Sequence, residues 1–118
     1  IFPIFLEKIK NNETVTLTGD SSRKQNFLDI RDLTSFIYKA SLIDGVSGLF
    51  NVAAEKPHSN LELAETIISR IGSNSKIVND MVKSNSSLQS WDVSTKKAKE
   101  RFGYVAEHNL DETIDWVL

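Results

Sequence analysis

Cysteine is absent from the 118 residues, which excludes a disulfide framework and any thiolate metal site. Only two histidines occur, His58 and His108, and they lie far apart in sequence, so a histidine-based metal site is not expected. No apolar run approaches the roughly 20 residues of a membrane span, and no signal peptide with a charged n-region is visible. An excess of basic charge is missing as well. The net charge of −2 argues against non-specific nucleic-acid binding, which rests on neutralising many phosphates. A cytoplasmic location is the expectation these absences leave.

What is present suffices for a folded unit. Apolar residues make up 40% and charged residues 25%, a balance that supports a core and argues against disorder. The length fits one domain or a piece of a larger one, and a single unit over 1–118 is expected. The start, Ile1-Phe2-Pro3-Ile4-Phe5-Leu6, is apolar from its first residue and has no initiating Met, so it reads as cut from a longer chain.

The stretch Gln25 to Asp32 organises the pattern. It reads as a short strand entering a helix at Asp32, with Phe27 and Asp29 on one face and Leu28 and Ile30 on the other. Upstream, Pro3 suits a first helical turn, and Ile4, Phe5 and Ile9 give an apolar face ending at Asn11-Asn12. Val15 to Thr18 alternates as a β-branched strand and stops at Gly19-Asp20. Downstream, Asp32 is the expected N-cap of a helix whose Leu33, Phe36, Ile37 and Ala40 recur at helical spacing.

Gly48 to Ala54 is a nearly continuous apolar run, the pattern of a strand covered on both faces in a parallel sheet. Ser59 and Glu62 form a capping box for a helix Leu61 to Ile71, closed by Gly72. Lys76 to Val78 is a short strand, and the serine-rich 81–89 reads as a loop. Ser94 caps a helix from Thr95 to Phe102, Asn109 and Glu112 open another from Asp111 to Val117, and Tyr104 and Trp116 are expected as core aromatics. Helices alternating with short strands indicate an α/β or α+β fold.

Three segments in order resemble the C-terminal third of an extended short-chain dehydrogenase/reductase, the family of NAD-dependent nucleotide-sugar epimerases and dehydratases. They are Gly19 to Leu33; Gly48-Leu49-Phe50-Asn51-Val52 with Ser59, Glu62, Leu63 and Ala64; and Trp91-Asp92-Val93-Ser94 with Lys97-Ala98, continuing through Phe102-Gly103-Tyr104 to Leu110 and Trp116. The resemblance implies a C-terminal substrate-binding portion of a Rossmann-type protein with the Rossmann core missing. It implies a nucleoside-diphosphate sugar as ligand, an N-terminal Rossmann half as partner that holds NAD or NADP, and allows a homodimeric parent. The family's glycine-rich dinucleotide loop and its Tyr-x-x-x-Lys pair are not in this chain, since Leu42 and His108 stand four residues after Tyr38 and Tyr104. The chain alone is therefore expected to be catalytically silent and to hold no cofactor.

In the family an arginine two residues before the aromatic of the first segment binds the pyrophosphate. Gln25 stands there, while Arg23, Gln25 and Phe27 would share one strand face. Lys83 is the basic residue of the loop where a second family arginine is found, and would act as a point charge. The implied substrate-binding set is thus Arg23, Gln25, Phe27 and Lys83. Each also has a plainer reading: Arg23 and Lys83 as solvated cations, Phe27 as core. Two other functions stay open, a non-catalytic sensor of the same fold and an independent α/β interaction domain. A chain without its other half should expose Ile4, Phe5 and the Phe50 strand and self-associate.

Overall fold

Alternating helices and short strands make up residues 1–19, 21, 23–80 and 92–118, the part described by a computed structural model. Helix α1 (Phe2–Lys10) places Pro3 in the first turn, where a missing N–H goes unnoticed. It stops at Asn11 because Asn12 turns to φ 55°, a left-handed conformation that asparagine tolerates. The Asn12 carboxamide oxygen then accepts the Ser73 hydroxyl at 3.0 Å and the Asn74 N–H at 2.9 Å, tying the helix end to a distant turn.

Strand β1 (Val15–Thr18) buries Val15 and Leu17 and exposes both threonines, as its alternation requires. It pairs in parallel with β4 (Ile77–Asp80), Val15 opposite Ile77 and Thr18 opposite Asp80. A second, antiparallel pair joins β2 (Lys24–Gln25) to β3 (His58–Ser59). Helix α3 (Asn60–Ile71) opens on the expected capping box: Ser59 Oγ accepts the Glu62 N–H at 3.0 Å and the Ser59 N–H donates to Glu62 Oε2 at 2.7 Å. It closes on Gly72 at φ 69°. Helix α5 (Leu110–Val117) starts the same way, with Asn109 and Glu112.

The core lies where α3 meets α1, α5 and β1. Ile9, Val15, Leu63, Ala64, Ile67 and Ile114 are wholly buried there, with Phe5, Leu17 and Leu110 almost so. A second, aromatic cluster joins α2 (Ile30–Ser41) to α4 (Lys96–Phe102): Phe102 meets Phe36 at 5.2 Å and Phe50 at 4.8 Å between ring centroids, all edge-on.

Several expectations need correction. The strand expected over Gln25 to Asp32 covers only Lys24–Gln25, because Asn26 takes over the next bonds with its side chain. Its amide donates to the Ala54 carbonyl at 3.0 Å and accepts the Ala54 N–H at 2.7 Å, replacing a ladder rung. Helix α2 then begins at Ile30, capped by Asp29 rather than Asp32. Residues 48–54 form no strand; their anchors are side chains, with Lys97 Nζ on the Leu49 carbonyl and the Tyr104 hydroxyl on the Ala53 carbonyl. Helix α4 is capped at Thr95 without a side-chain bond, so Ser94 is not its cap. Trp116 is 56% exposed, its ring lying under the Arg31 guanidinium at 4.9 Å, whereas Tyr104 is core as expected. Ile4 is exposed, but Phe5, expected beside it at the surface, is buried. The loop reading of 81–89 falls outside the described residues.

Ile67 touches no solvent, so Ile67→Ala should cost about 2–5 kcal/mol through lost transfer energy and a residual cavity. Urea unfolding checks this; a loss under about 1 kcal/mol would mean the helices do not pack as described.

Candidate functional site

Strand β2 carries the candidate ligand residues to the edge of an open groove of about 310 Å³, lined by Arg23, Gln25, Asn26 and Val93. Arg23 is exposed and enters none of the ion pairs among the described residues. Gln25 is half-buried, and its amide donates to the Asn60 side-chain oxygen at 2.8 Å. The antiparallel register, Lys24 opposite Ser59 and Gln25 opposite His58, brings that asparagine within reach. The groove thus offers one long cation and one amide whose orientation is fixed, a combination suited to an anionic, hydrogen-bonding ligand.

Phe27 does not join them. It packs half-buried against the core and lines a different cavity of about 390 Å³, with His58, His108 and Asp111 among its neighbours. The ladder ends at Gln25, so period-two alternation no longer governs where Phe27 points. That cavity is the larger one, and part of its charged wall is engaged within the chain, while Glu55, Lys56 and Glu107 enter no ion pair among the described residues. Asp111 holds Arg70 at 2.7 Å, His108 Nδ1 meets Asp32 at 2.6 Å, and His58 lies 3.6 Å from Glu62. The Arg23 groove is the better candidate despite its size, because a cation and an amide of fixed orientation lie together at its rim. Lys83 lies outside the described residues. Asn26, Asn60 and Val93 were not singled out by sequence; the only signal for Asn60 was its place directly after a helix cap.

The entry to α2 is electrostatic. Asp29, whose side chain is closed off from solvent, accepts the Arg31 N–H at 2.8 Å, the Arg31 guanidinium at 2.9 and 2.8 Å, and the Thr113 hydroxyl at 2.7 Å. The Arg31 guanidinium above all, helped by Thr113, holds the Asp29 carboxyl well below the usual carboxylate range, although burial pushes the other way. Asp32, one turn in, is buried and takes the His108 N–H and ring. The Ser59 N–H, foremost, keeps the Glu62 carboxyl below its ordinary value. Among the described residues no cluster of histidines and carboxylates could hold a metal ion.

No family model and no curated protein sequence matches the chain. Solved structures do. UDP-N-acetylglucosamine 4-epimerase from Bacillus cereus is 24% identical, with a TM-score of 0.84 over 98% of this chain and 40% of that one. UDP-glucose 4-epimerase from Thermotoga maritima, solved with UDP-glucose, is 18% identical with a TM-score of 0.82, over 98% of this chain and 38% of the other. The dTDP-glucose 4,6-dehydratase from Bacillus anthracis, solved with NAD, is 22% identical with a TM-score of 0.76, again over 98% and 38%. The chain spans about two fifths of the length of these proteins, and over that length it has the fold of a nucleoside-diphosphate-sugar epimerase or dehydratase.

The Asp29 network sets an acid limb. A carboxyl held low in the folded chain binds fewer protons than in the unfolded one, so stability is intact above the ordinary aspartate value and is lost as pH falls. Between about pH 5 and pH 2 the unsubstituted chain should therefore lose more stability than Asp29→Asn does. Urea midpoints taken across that range check this, and parallel acid limbs would overturn it.

Proposed function

We propose that the chain is the nucleotide-sugar-binding part, in one unit over 1–118, of a larger NAD(P)-dependent nucleoside-diphosphate-sugar epimerase, dehydratase or reductase, and that it is catalytically silent alone. The observation that carries this is the pairing of Arg23 with a fixed Gln25 on one open groove, within a fold shared with epimerases of UDP-sugars. Arg23 would meet the pyrophosphate, Gln25 would donate or accept beside it, and Lys83 would add a point charge. Phe27 packs against the core and lines a separate cavity, away from Arg23 and Gln25.

NAD or NADP would supply the hydride chemistry, and the residues present do not fit its binding. Gly72 and Gly103 with positive φ end helices instead of opening them. The N-termini of α2, α3 and α5 already hold Asp29, Glu62 and Glu112, which would repel a phosphate. The cofactor belongs to the rest of the parent. A second reading, a sensor of the same fold without chemistry, is favoured by one feature: the neutral Gln25, tied to Asn60, where the family resemblance expects an arginine. A Tyr-x-x-x-Lys pair upstream in the parent would decide against it.

In the full-length parent, Arg23→Ala should weaken UDP-glucose or dTDP-glucose binding by about 1.5–3 kcal/mol, the worth of a charge-assisted hydrogen bond. Isothermal calorimetry measures it. An unchanged Kd returns Arg23 to solvent, and no binding of any nucleotide sugar at millimolar concentration defeats the proposal.

A further inference from the structure

Of the side chains on the Arg23 groove, only two have polar atoms left to offer. Asn26 spends its amide on both backbone groups of Ala54, and Val93 is apolar. Lys24, between Arg23 and Gln25, lies on the other face of β2. What remains is the exposed guanidinium of Arg23 and the half-buried amide of Gln25. Two positions separate them, roughly 6.6 Å of extended chain.

The Gln25 amide is pinned. Its nitrogen donates to Asn60 Oδ1 at 2.8 Å, and the ladder sets the residue opposite His58. That bond uses one amide hydrogen. Oε1 and the second hydrogen take no partner among the described residues, where no side-chain nitrogen or oxygen is both buried and unpaired. The oxygen is therefore reachable from outside, and its direction is set by the bond to Asn60.

A carboxamide held in this way is a poor seat for phosphate. It has no charge to offset the anion, and its free oxygen is an acceptor that repels phosphate oxygens. The same oxygen suits a neutral donor. A hydroxyl, which gives and takes hydrogen bonds, can use the oxygen and the second amide hydrogen together. In a nucleoside-diphosphate sugar the pyrophosphate has a sugar on either side, so phosphate anchored at Arg23 brings hydroxyls within reach of Gln25.

We propose that Gln25 is a specificity-determining residue that reads a sugar hydroxyl, that Asn60 positions its amide, and that Arg23 alone of the groove residues meets phosphate. This rests on the proposed function, which supplies the ligand.

Calorimetry on the full-length parent tests it with UDP-glucose and dTDP-glucose, and with UDP and dTDP, which lack the second sugar. Gln25→Leu should raise the Kd of the nucleotide sugar about tenfold, the worth of one hydrogen bond at the upper end of its range. Arginine has donors only, so Gln25→Arg should not tighten binding. Asn60→Leu should raise the same Kd, whereas Asn60→Asp, which keeps the acceptor, should leave it within about twofold. Joined to Gln25→Leu, Asn60→Leu should add nothing further, because both remove one contact. A loss shared by the diphosphates places the hydroxyl on the ribose, and a loss confined to the nucleotide sugars places it on the hexose. Binding about tenfold tighter in Gln25→Arg overturns the proposal, since phosphate then meets position 25. So does a Kd in Gln25→Leu within about twofold of the unsubstituted parent. Either result leaves the nucleotide-sugar reading standing, whereas an unsubstituted parent that binds no nucleotide sugar removes both.

Discussion

A carboxylate shut off from water must be satisfied on nearly every side, and Asp29 is satisfied by donors drawn from two ends of the chain. The Arg31 N–H and guanidinium come from the helix that Asp29 caps, and the Thr113 hydroxyl comes from α5. Once these bonds form, the start of α2 is fixed to within one residue. The residues just upstream are tied in turn: Asn26 reaches Ala54, β2 meets β3, and Arg23, Gln25 and Asn26 line their groove. Downstream, Thr113 holds α5 so that its neighbour Ile114 enters the core. A lone buried charge would be strongly destabilising, but the paired and hydrogen-bonded one acts as a register pin.

The elements that local chemistry specifies were legible in the sequence. Both capping boxes, the glycine ends of α3 and α4, the alternation of β1 and the apolar stripe of α3 all follow from residues within a turn or two of one another. Most failures involve distant partners. At Asn26 and along 48–54 the partner lies tens of residues away, Ala54, Lys97 or Tyr104, and at Asp29 the distant Thr113 joins the local Arg31. Asp29 and Asp32 are equally good caps on paper, and only the buried network chooses between them. Trp116 is similar, since its place under Arg31 rests on a cation–π contact between residues far apart in the chain, which no period reveals.

The groove was half legible. Arg23 and Gln25 share a rim because they flank Lys24 in or beside a true strand, and alternation holds that far. Phe27 departs because the strand ends two residues before it. Asn60 escaped notice because its contribution arises from pairing between strands, not from its own neighbours. The fold shared with nucleotide-sugar epimerases and dehydratases, at identities of 24% and below, shows how much of this architecture survives when few residues are held in common.

The parallel pair of β1 and β4 has a consequence for how the chain acquires its shape. Val15 and Ile77 are 62 positions apart, 77 minus 15, and nearly every other described element up to α3 lies in the intervening loop. Closing a loop of that size costs about 1.6 kcal/mol more entropy than closing one of ten residues. Helices α2 and α3 carry their own start signals and need no such closure. Such a topology favours an order of events in which capped helices collect first and the small sheet closes over them late. Its two strands are the part of the molecule most exposed to competing pairings until that closure is complete.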